Sequence, residues 1–546
     1  MTIAIWNKDP HLGYWERNTA HFPTGMSLHL WELFMPAHHQ GTQSGFQRYG
    51  CAIDRFDFAR YHARVYVRIR FIDNPEQLSA RGKVAEQALC TKLWRRDRVG
   101  WEVAKTSFRT RLLELTQRSV SNLSSNALLD RLTVLRQIFV EGVIQHFSQQ
   151  PASMFAVGDW VRNTCAWTGV ATSGALAVLR NSSRESADCL QAVSNVAEII
   201  NENKTAAELL GDTTRSAAAR IEQLRDMSCP IAEAISAYLD EYGDRIVTGF
   251  DITDLTLRDL PHMILALLSS RAGLTASCEP DRGLSDAEQR LRSRVPLENR
   301  QVFDEGLEEA KYAYGLNDED VRMTYLWPLG LLRRTMLSAA ELLVKRGALH
   351  STDDVFQTTP AELDGLLAGS SSPTTDEISK RTAEYRAWAL EEPPSSFGEP
   401  EPWVLDELLS PECARVTNAI RFYLGEMERA GTSSSEALGS LAIEGLAASP
   451  GRYEGRARVV SGPGDFDKVT QGDVLVARTT SPAYNLLLPV IGGVVTDRGG
   501  ALCHAAIIAR EFGIPAVVGT NQATTRIPDG AHVVVDGDRG FVTVRI

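Results

Sequence analysis

Thr496-Asp497-Arg498-Gly499-Gly500-Ala501-Leu502-Cys503-His504-Ala505-Ala506-Ile507-Ile508-Ala509-Arg510-Glu511-Phe512-Gly513-Ile514-Pro515-Ala516-Val517-Val518-Gly519 sets one histidine between a glycine pair and a helix-forming run. Val494 and Val495 end an apolar, strand-like run ahead of it. Gly499 and Gly500 permit a tight turn, and Ala505 to Phe512 predict a helix closed by Gly513. His504 then falls in the first turn of a short helix. There, unpaired backbone N–H groups and the positive end of the helix dipole favour an anion, each such interaction contributing roughly 0.3–1 kcal/mol. An imidazole keeps one bare ring nitrogen near neutral pH, and such a nitrogen can attack phosphorus to give a phosphohistidine.

An ordered set of motifs accompanies this histidine from about Ile443 to Ile546. It comprises Ser449-Pro450-Gly451, Gly455, Gly472-Asp473-Val474-Leu475-Val476, Thr496-Asp497-x-Gly499-Gly500, Cys503-His504-Ala505-Ala506, Gly513 to Gly519, and Asp536-Gly537. The set resembles the mobile phosphohistidine domain of the phosphoenolpyruvate-utilizing enzymes, the family of phosphoenolpyruvate synthase, pyruvate phosphate dikinase and rifampin phosphotransferase. The resemblance implies that His504 is the residue phosphorylated. It also implies that Thr496, Gly499, Gly500 and Cys503 support the phosphate loop, with Cys503 as a small packing residue rather than a thiol reagent. Leu502 stands where the dikinases carry a regulatory threonine, so that form of control is not expected.

A chain of 546 residues predicts two to four domains with a sizeable core. Its formal net charge of −12 argues against a nucleic-acid or anionic-membrane partner, both of which need a basic footprint. Neither a long apolar run nor a signal-like N-terminus stands out, so a cytoplasmic protein is expected. Cysteines at 51, 90, 165, 189, 229, 278, 413 and 503 show no C-x-x-C spacing and predict neither a disulfide framework nor a zinc site.

Segments 84–120, 126–149, 186–226, 231–242, 299–314 and 328–347 read as helices. Arg64 to Phe71 alternates as a strand does, although the same run suits the start of a helix. Beyond Ile443, short apolar runs at 456–460, 473–477, 493–495, 516–518, 532–535 and 541–544 are separated by Gly, Pro or Asp. The fold expected is multidomain: a large, mainly α-helical substrate-type domain followed by a compact α/β swivelling domain. Its boundaries are 1–429, with a subdivision near 365–400, then a linker at 430–440 containing Gly431-Thr432-Ser433-Ser434-Ser435, then 441–546. A flexible linker of that length reaches roughly 17–20 Å. Glu391 to Pro402 should be extended around its prolines.

The helical part also resembles the substrate-binding middle domain of rifampin phosphotransferase. Its landmarks are Trp15, His21-Phe22-Pro23, Tyr238-Leu239-x-x-Tyr242-Gly243-x-Arg245, Lys345 to Leu349 running to Phe356, and Arg386-Ala387-Trp388. Two departures point to a different substrate: Asp244 replaces a histidine, and Asn317-Asp318 replaces an Arg-Glu pair. His21 and Arg245 are the candidate substrate-binding residues, since an arginine fork suits phosphate oxygens; a capping histidine and a structural ion pair are the alternatives. Trp15, Trp31, Trp160, Trp167 and Trp327 suit an aromatic-lined pocket or a core. His38-His39 is not read as a metal site, because adjacent side chains diverge and no ligand cluster accompanies them.

No G-x-x-x-x-G-K-[ST] loop occurs, and neither the ATP-grasp domain nor the phosphoenolpyruvate-binding barrel of the family is recognisable. The expectation is a phosphotransferase subunit that binds no cofactor itself. ATP and Mg²⁺ act through a separate ATP-grasp subunit, as in the two-subunit layout of phenylphosphate synthase, and His504 passes phosphate to a hydroxyl of a small molecule. Two alternatives remain: elimination or dehydration with His504 as acid/base, and a non-catalytic regulatory subunit.

Overall fold

The computed structural model describes every residue except 1–2, 7–12, 20, 181–184, 213, 228–229, 272–281, 401–405, 429–441, 481–483, 485–486, 489 and 546. The linker read at 430–440 thus lies outside the described residues. By packing, the chain forms two compact units. The first is Met1–Ala152 with Asp244–Thr256 and Asp320–Thr417; the second is Ser153–Gly243 with Leu257–Glu319 and Asn418–Ile546.

In the first unit a five-stranded sheet is built from β1 (Ile3–Trp6), β2 (Trp15–Arg17), β3 (Ile53–Tyr61), β4 (Arg64–Phe71) and β5 (Ser396–Phe397), in the order β1-β3-β4-β2-β5. Arg64 to Phe71 is therefore a strand. It pairs antiparallel with β3 from Tyr61–Arg64 to Ile53–Phe71 across a two-residue turn. Both turn residues, His62 and Ala63, have positive φ (45° and 59°), the twist a tight hairpin requires. Trp15, Ala59, Tyr66 and Phe397 pack together on one face, and the Tyr66 hydroxyl donates to the Pro394 carbonyl at 2.6 Å. The proline run from Glu391 is thereby held extended beside β2.

Around this sheet stand the helices Leu28–Tyr49, Pro75–Cys90, Leu93–Gln117, Ser125–Thr168 and Trp327–Lys345. The run expected as one helix at 84–120 is broken at Thr91 and Lys92, the latter in the left-handed region at φ 48°. The helix begun at Ser125 runs through Pro151 to Thr168, well past the expected end at 149. Proline inside it removes one N–H, yet flanking turns and tertiary packing carry the helix on. Likewise 186–226 is three helices, Glu185–Asn201, Lys204–Gly211 and Ala217–Arg225, with Asn203 and Ser216 capping the second and third.

The second unit contains an eight-stranded sheet. Its strands are β6 (Ala442–Glu444), β7 (Leu446–Ser449), β8 (Arg452–Val460), β9 (Val474–Ala477), β10 (Gly493–Thr496), β11 (Ala516–Val518), β12 (His532–Asp536) and β13 (Phe541–Arg545). The order is β6-β13-β12-β8-β9-β10-β11-β7, with β8 through β11 parallel and the remaining pairs antiparallel. All four residues of β9 and of β10 are buried, the pattern expected of parallel strands covered on both faces. Val474, Val476, Val495, Val517, Val533, Val535 and Val542 form the core of this α/β domain.

Candidate functional site

His504 is the first residue of the helix His504–Phe512, which Cys503 caps from extended backbone at ψ 161° and Gly513 ends at φ 63°. Strand β10 delivers the chain to it through a loop in which Gly499 adopts φ 112°. A Cβ there would fall 2.5 Å from the Cys503 sulfur, so glycine is required for conformation and for space. The loop is tied from behind. The fully buried Thr496 donates its hydroxyl to the Arg498 carbonyl at 2.8 Å, and its own carbonyl accepts from the Thr520 N–H and hydroxyl, both at 3.0 Å. The Asp497 carboxylate accepts from the Thr520 hydroxyl at 3.1 Å, the Thr524 N–H at 3.1 Å and the Thr524 hydroxyl.

Arg510, 1% exposed, donates to the Ala501 carbonyl at 2.8 Å and to the Ala448 carbonyl at 2.9 Å, which locks the helix to its loop and to β7. Gly500 and Leu502 donate their N–H groups to the Met427 and Glu426 carbonyls at 3.2 and 3.1 Å, the last turn of the helix Pro411–Glu428. His504 itself is half-buried. Burial raises the Cys503 thiol above its ordinary value, opposed by the Ala506 N–H and the Arg510 charge, so it is not a thiolate nucleophile. Sequence reasoning named Thr496, Gly499, Gly500 and Cys503 but missed Arg510 and Asp497, whose ties become visible only in three dimensions.

A second constellation lies in the first unit. His21, His38 and His146 come from the loop before the helix Leu28–Tyr49, from that helix, and from the helix Ser125–Thr168. Aromatic rings join them: His21 meets Phe250 edge-on at 5.1 Å, and His38 packs against Phe58 at 4.6 Å and Phe147 at 3.9 Å. His146 meets Phe147 at 4.7 Å, while Phe34 contacts Phe22 at 5.8 Å and Tyr325 at 5.5 Å. Removal from water lowers the His21 imidazole to about 4 and takes His38 well below its usual range, and the neighbouring His146 imidazole pushes the same way. Both are therefore neutral near pH 7.

His146 Nδ1 lies 2.7 Å from Asp320, whose carboxylate is fully buried and whose other oxygen accepts from the Gln149 amide. Phe250, which meets His21, belongs to the loop Val247–Thr256, where Asp251 accepts from the Ser27 N–H at 2.8 Å and the Thr253 N–H at 2.9 Å. Burial and the Asp251 charge raise Asp254 to about 7. The Tyr325 hydroxyl donates to the Phe250 carbonyl at 2.6 Å.

His21 thus sits in this aromatic cluster, its Nδ1 3.3 Å from the Asn18 side-chain oxygen. Arg245 opens the segment that carries Phe250, Asp251 and Asp254 and is 9% exposed. Among the described residues no hydrogen bond or ion pair joins it to His21 or to any other group. Asp244, the departure from the expected histidine, is paired through both oxygens with Arg334 at 2.8 and 2.9 Å. The side chains of Asn317 and Asp318 lie outside the described residues.

The tryptophans do not line the cluster: Trp15, Trp31, Trp160 and Trp327 are core residues, with Trp160 bonded to the Phe303 carbonyl and Trp327 to Thr116. Phenylalanines and Tyr325 supply the lining instead. His38 and His39 diverge, the second turning its Nδ1 to the Phe56 carbonyl at 3.1 Å. Among the described residues no group of three or more His, Cys, Asp or Glu side chains is placed to hold a metal ion, and no helix is long and apolar enough to cross a membrane.

Residues 469–540 match the mobile domain of the PEP-utilising enzymes, and residues 146–318 match the fourth domain of rifampicin phosphotransferase. Residues 469–540 are therefore a mobile domain of the PEP-utilising type. It is similar to the rifampicin phosphotransferase of Streptomyces sviceus, 28% identical over 334 residues, which are 57% of this chain and 34% of that protein. The rifampicin phosphotransferase of Bacillus subtilis is 29% identical over 57% of this chain and 34% of its own length. A probable phosphoenolpyruvate synthase of Archaeoglobus fulgidus is 45% identical over 109 residues, 20% of this chain and 14% of that one. The chain spans about a third of the length of the rifampicin phosphotransferases it matches. The match at 469–540 contains His504 and its whole loop.

Proposed function

We propose that the chain is a phosphotransferase subunit in which His504 carries phosphate to a hydroxyl of a small organic molecule. The observation that carries this reading is His504 at the first position of a helix that follows a glycine loop, inside the matched mobile domain. A phosphoryl group there meets the positive end of a helix dipole and needs no metal of its own. In this reading the charge comes from a separate ATP-grasp subunit that supplies ATP and Mg²⁺, and 441–546 swivels on the linker 430–440. The buried Arg245 and the His21 cluster support acceptor binding in the remainder of the chain, because an arginine fork suits phosphate oxygens and neutral, ring-lined surroundings suit an uncharged acceptor. Transfer passes through a charge-spread transition state, so alignment and anion stabilisation are the protein's main tasks.

The test is intact-mass spectrometry at neutral to alkaline pH after incubation with ATP and Mg²⁺ or with phosphoenolpyruvate, alone and with a candidate ATP-grasp protein. A gain of one phosphoryl mass that is lost in His504→Ala supports the carrier role. No gain with any donor would favour elimination chemistry, for which the second constellation also supplies titratable groups.

A further inference from the structure

We propose that His146 is a catalytic base for a hydroxyl-bearing small molecule with an apolar, ring-containing body, and that Asp320 is its positioning residue. The proposal rests on the phosphotransfer reading only for the identity of the electrophile.

The geometry around His146 is that of an oriented imidazole. A fully buried carboxylate takes Nδ1 at 2.7 Å, and because it is held also by the Gln149 amide it cannot turn away. A carboxylate accepts and does not donate, so Nδ1 carries the ring proton and Nε2 is left with its lone pair. Among the described residues Nε2 has no hydrogen-bond partner. Of the three clustered histidines, only His146 has a carboxylate to compensate the imidazolium that forms when a proton is taken up. A second polar atom points to the same ligand: His38 Nδ1 is buried without a partner, and its ring lies 3.9 Å from that of Phe147, which also touches His146.

The backbone is shaped around this point. Directly after Asp320 the helix widens into a π-turn, Arg322–Leu326, a feature that often re-aims side chains at functional sites. Tyr325 from that turn joins Phe34, Phe139 and Phe250 at ring distances of 5.5, 5.3 and 6.0 Å. A ligand among these groups has ring faces for an apolar body and the His146 and His38 nitrogens for a hydroxyl.

The step balances without further reagents. The hydroxyl proton moves to His146 Nε2 as the oxygen lone pair attacks phosphorus. The P–N bond of the phosphohistidine breaks, and its electron pair returns to the His504 ring nitrogen. The His146 imidazolium then releases its proton to water.

The experiment uses the full chain labelled with ¹⁵N at histidine, with 1-naphthol as the probe and no phosphate donor. Long-range ¹H–¹⁵N spectra should show His146 protonated at Nδ1, with its Nε2 resonance shifting saturably as 1-naphthol is added. Asp320→Asn should mix the two tautomers, which a merely structural role would not do. His146→Gln should weaken 1-naphthol binding about tenfold, the loss of one hydrogen bond. A proton on Nε2, an Nε2 resonance unmoved by the probe, or undiminished binding in a folded His146→Gln would each overturn the proposal. If His146→Gln fails to fold, the spectra of the unmutated chain and of Asp320→Asn still decide it. Because His504 takes no part, failure here is separate from failure of phosphate loading.

Discussion

Two histidine sites in this chain are built on opposite principles. His504 is half-buried, held by a loop whose backbone is tied down at every turn, and backed by the N–H groups of a helix start. His21, His38 and His146 lie among phenylalanine rings, where burial keeps His21 and His38 neutral and a single carboxylate orients His146. The first environment rewards an added dianion; the second, walled by ring faces and neutral imidazoles, favours the uncharged body of an acceptor. The difference supports the proposed division of the chemistry, in which phosphate is stored at His504 and a neutral, ring-bearing acceptor with a proton to lose occupies the buried cluster.

The largest expected effect separates the two directly. His504→Ala should reduce phosphate loading by at least about 10⁴-fold, as loss of a nucleophile does. His146→Gln should leave loading within about threefold, because His146 takes no part in forming the P–N bond and its loss removes a hydrogen bond of about 1 kcal/mol. Loading assays on both variants with the same donor check this, and comparable losses would break the division.

Next in size is the Asp244–Arg334 pair, which stands where relatives are expected to have histidine. Asp244 is 1% exposed and Arg334 is 25% exposed. Arg334→Ala removes the bidentate partner of a buried carboxylate and should cost about 2–4 kcal/mol in urea unfolding, less than a fully buried pair because the arginine is partly solvated. Loading at His504 in the still-folded fraction should be unchanged.

The pH dependence of stability sharpens the contrast further. His21, held near 4 against an ordinary 6.5, and His29, held near 3 chiefly by burial, contribute stability that is present above about 6.5 and lost as pH falls through those values. Asp254, raised from 3.8 to about 7, acts in the opposite sense: its contribution is present below 3.8 and lost as pH rises through about 7. The two kinds of group therefore pull unfolding free energy in opposite directions between pH 4 and 6.5, and single variants separate them relative to the unmutated chain. Against the unmutated chain, the slope of unfolding free energy with pH should be more positive in Asp254→Asn and less positive in His21→Asn, measured by denaturant titration at each pH.

The smallest effect is expected beside His504. Cys503 caps its helix from the backbone with no side-chain cap hydrogen bond. Cys503→Ser should add about 0.5–1 kcal/mol of stability by supplying a capping oxygen, with loading unchanged. A large loss of loading would instead give the thiol a chemical role.

The two sites also differ in how far the sequence discloses them. The strands after Ile443, the turn at Gly499 and Gly500, and the helix from His504 to Gly513 follow from neighbouring residues, so local pattern and local structure coincide. Lys92 and Pro151 show where it fails: a break in the left-handed region carries no glycine to mark it, and a proline is carried through a helix by packing. The buried cluster draws His21, His38, His146, Phe250, Asp320 and Tyr325 from stretches hundreds of residues apart, and no spacing rule links them. His21 came into view through a resemblance, but its partner His146 carried no signal. Of the two roles the tryptophans suited, lining or core, Trp15, Trp31, Trp160 and Trp327 take the core, and phenylalanines supply the rings of the cluster.

The most direct measurement is peptide mapping by mass spectrometry at alkaline pH of the chain loaded from its donor. The account predicts the phosphoryl group on the peptide containing His504, with the peptides containing His21, His38 and His146 unmodified. A phosphoryl group on any of those three, or on none of the four after loading of the intact chain, would contradict it.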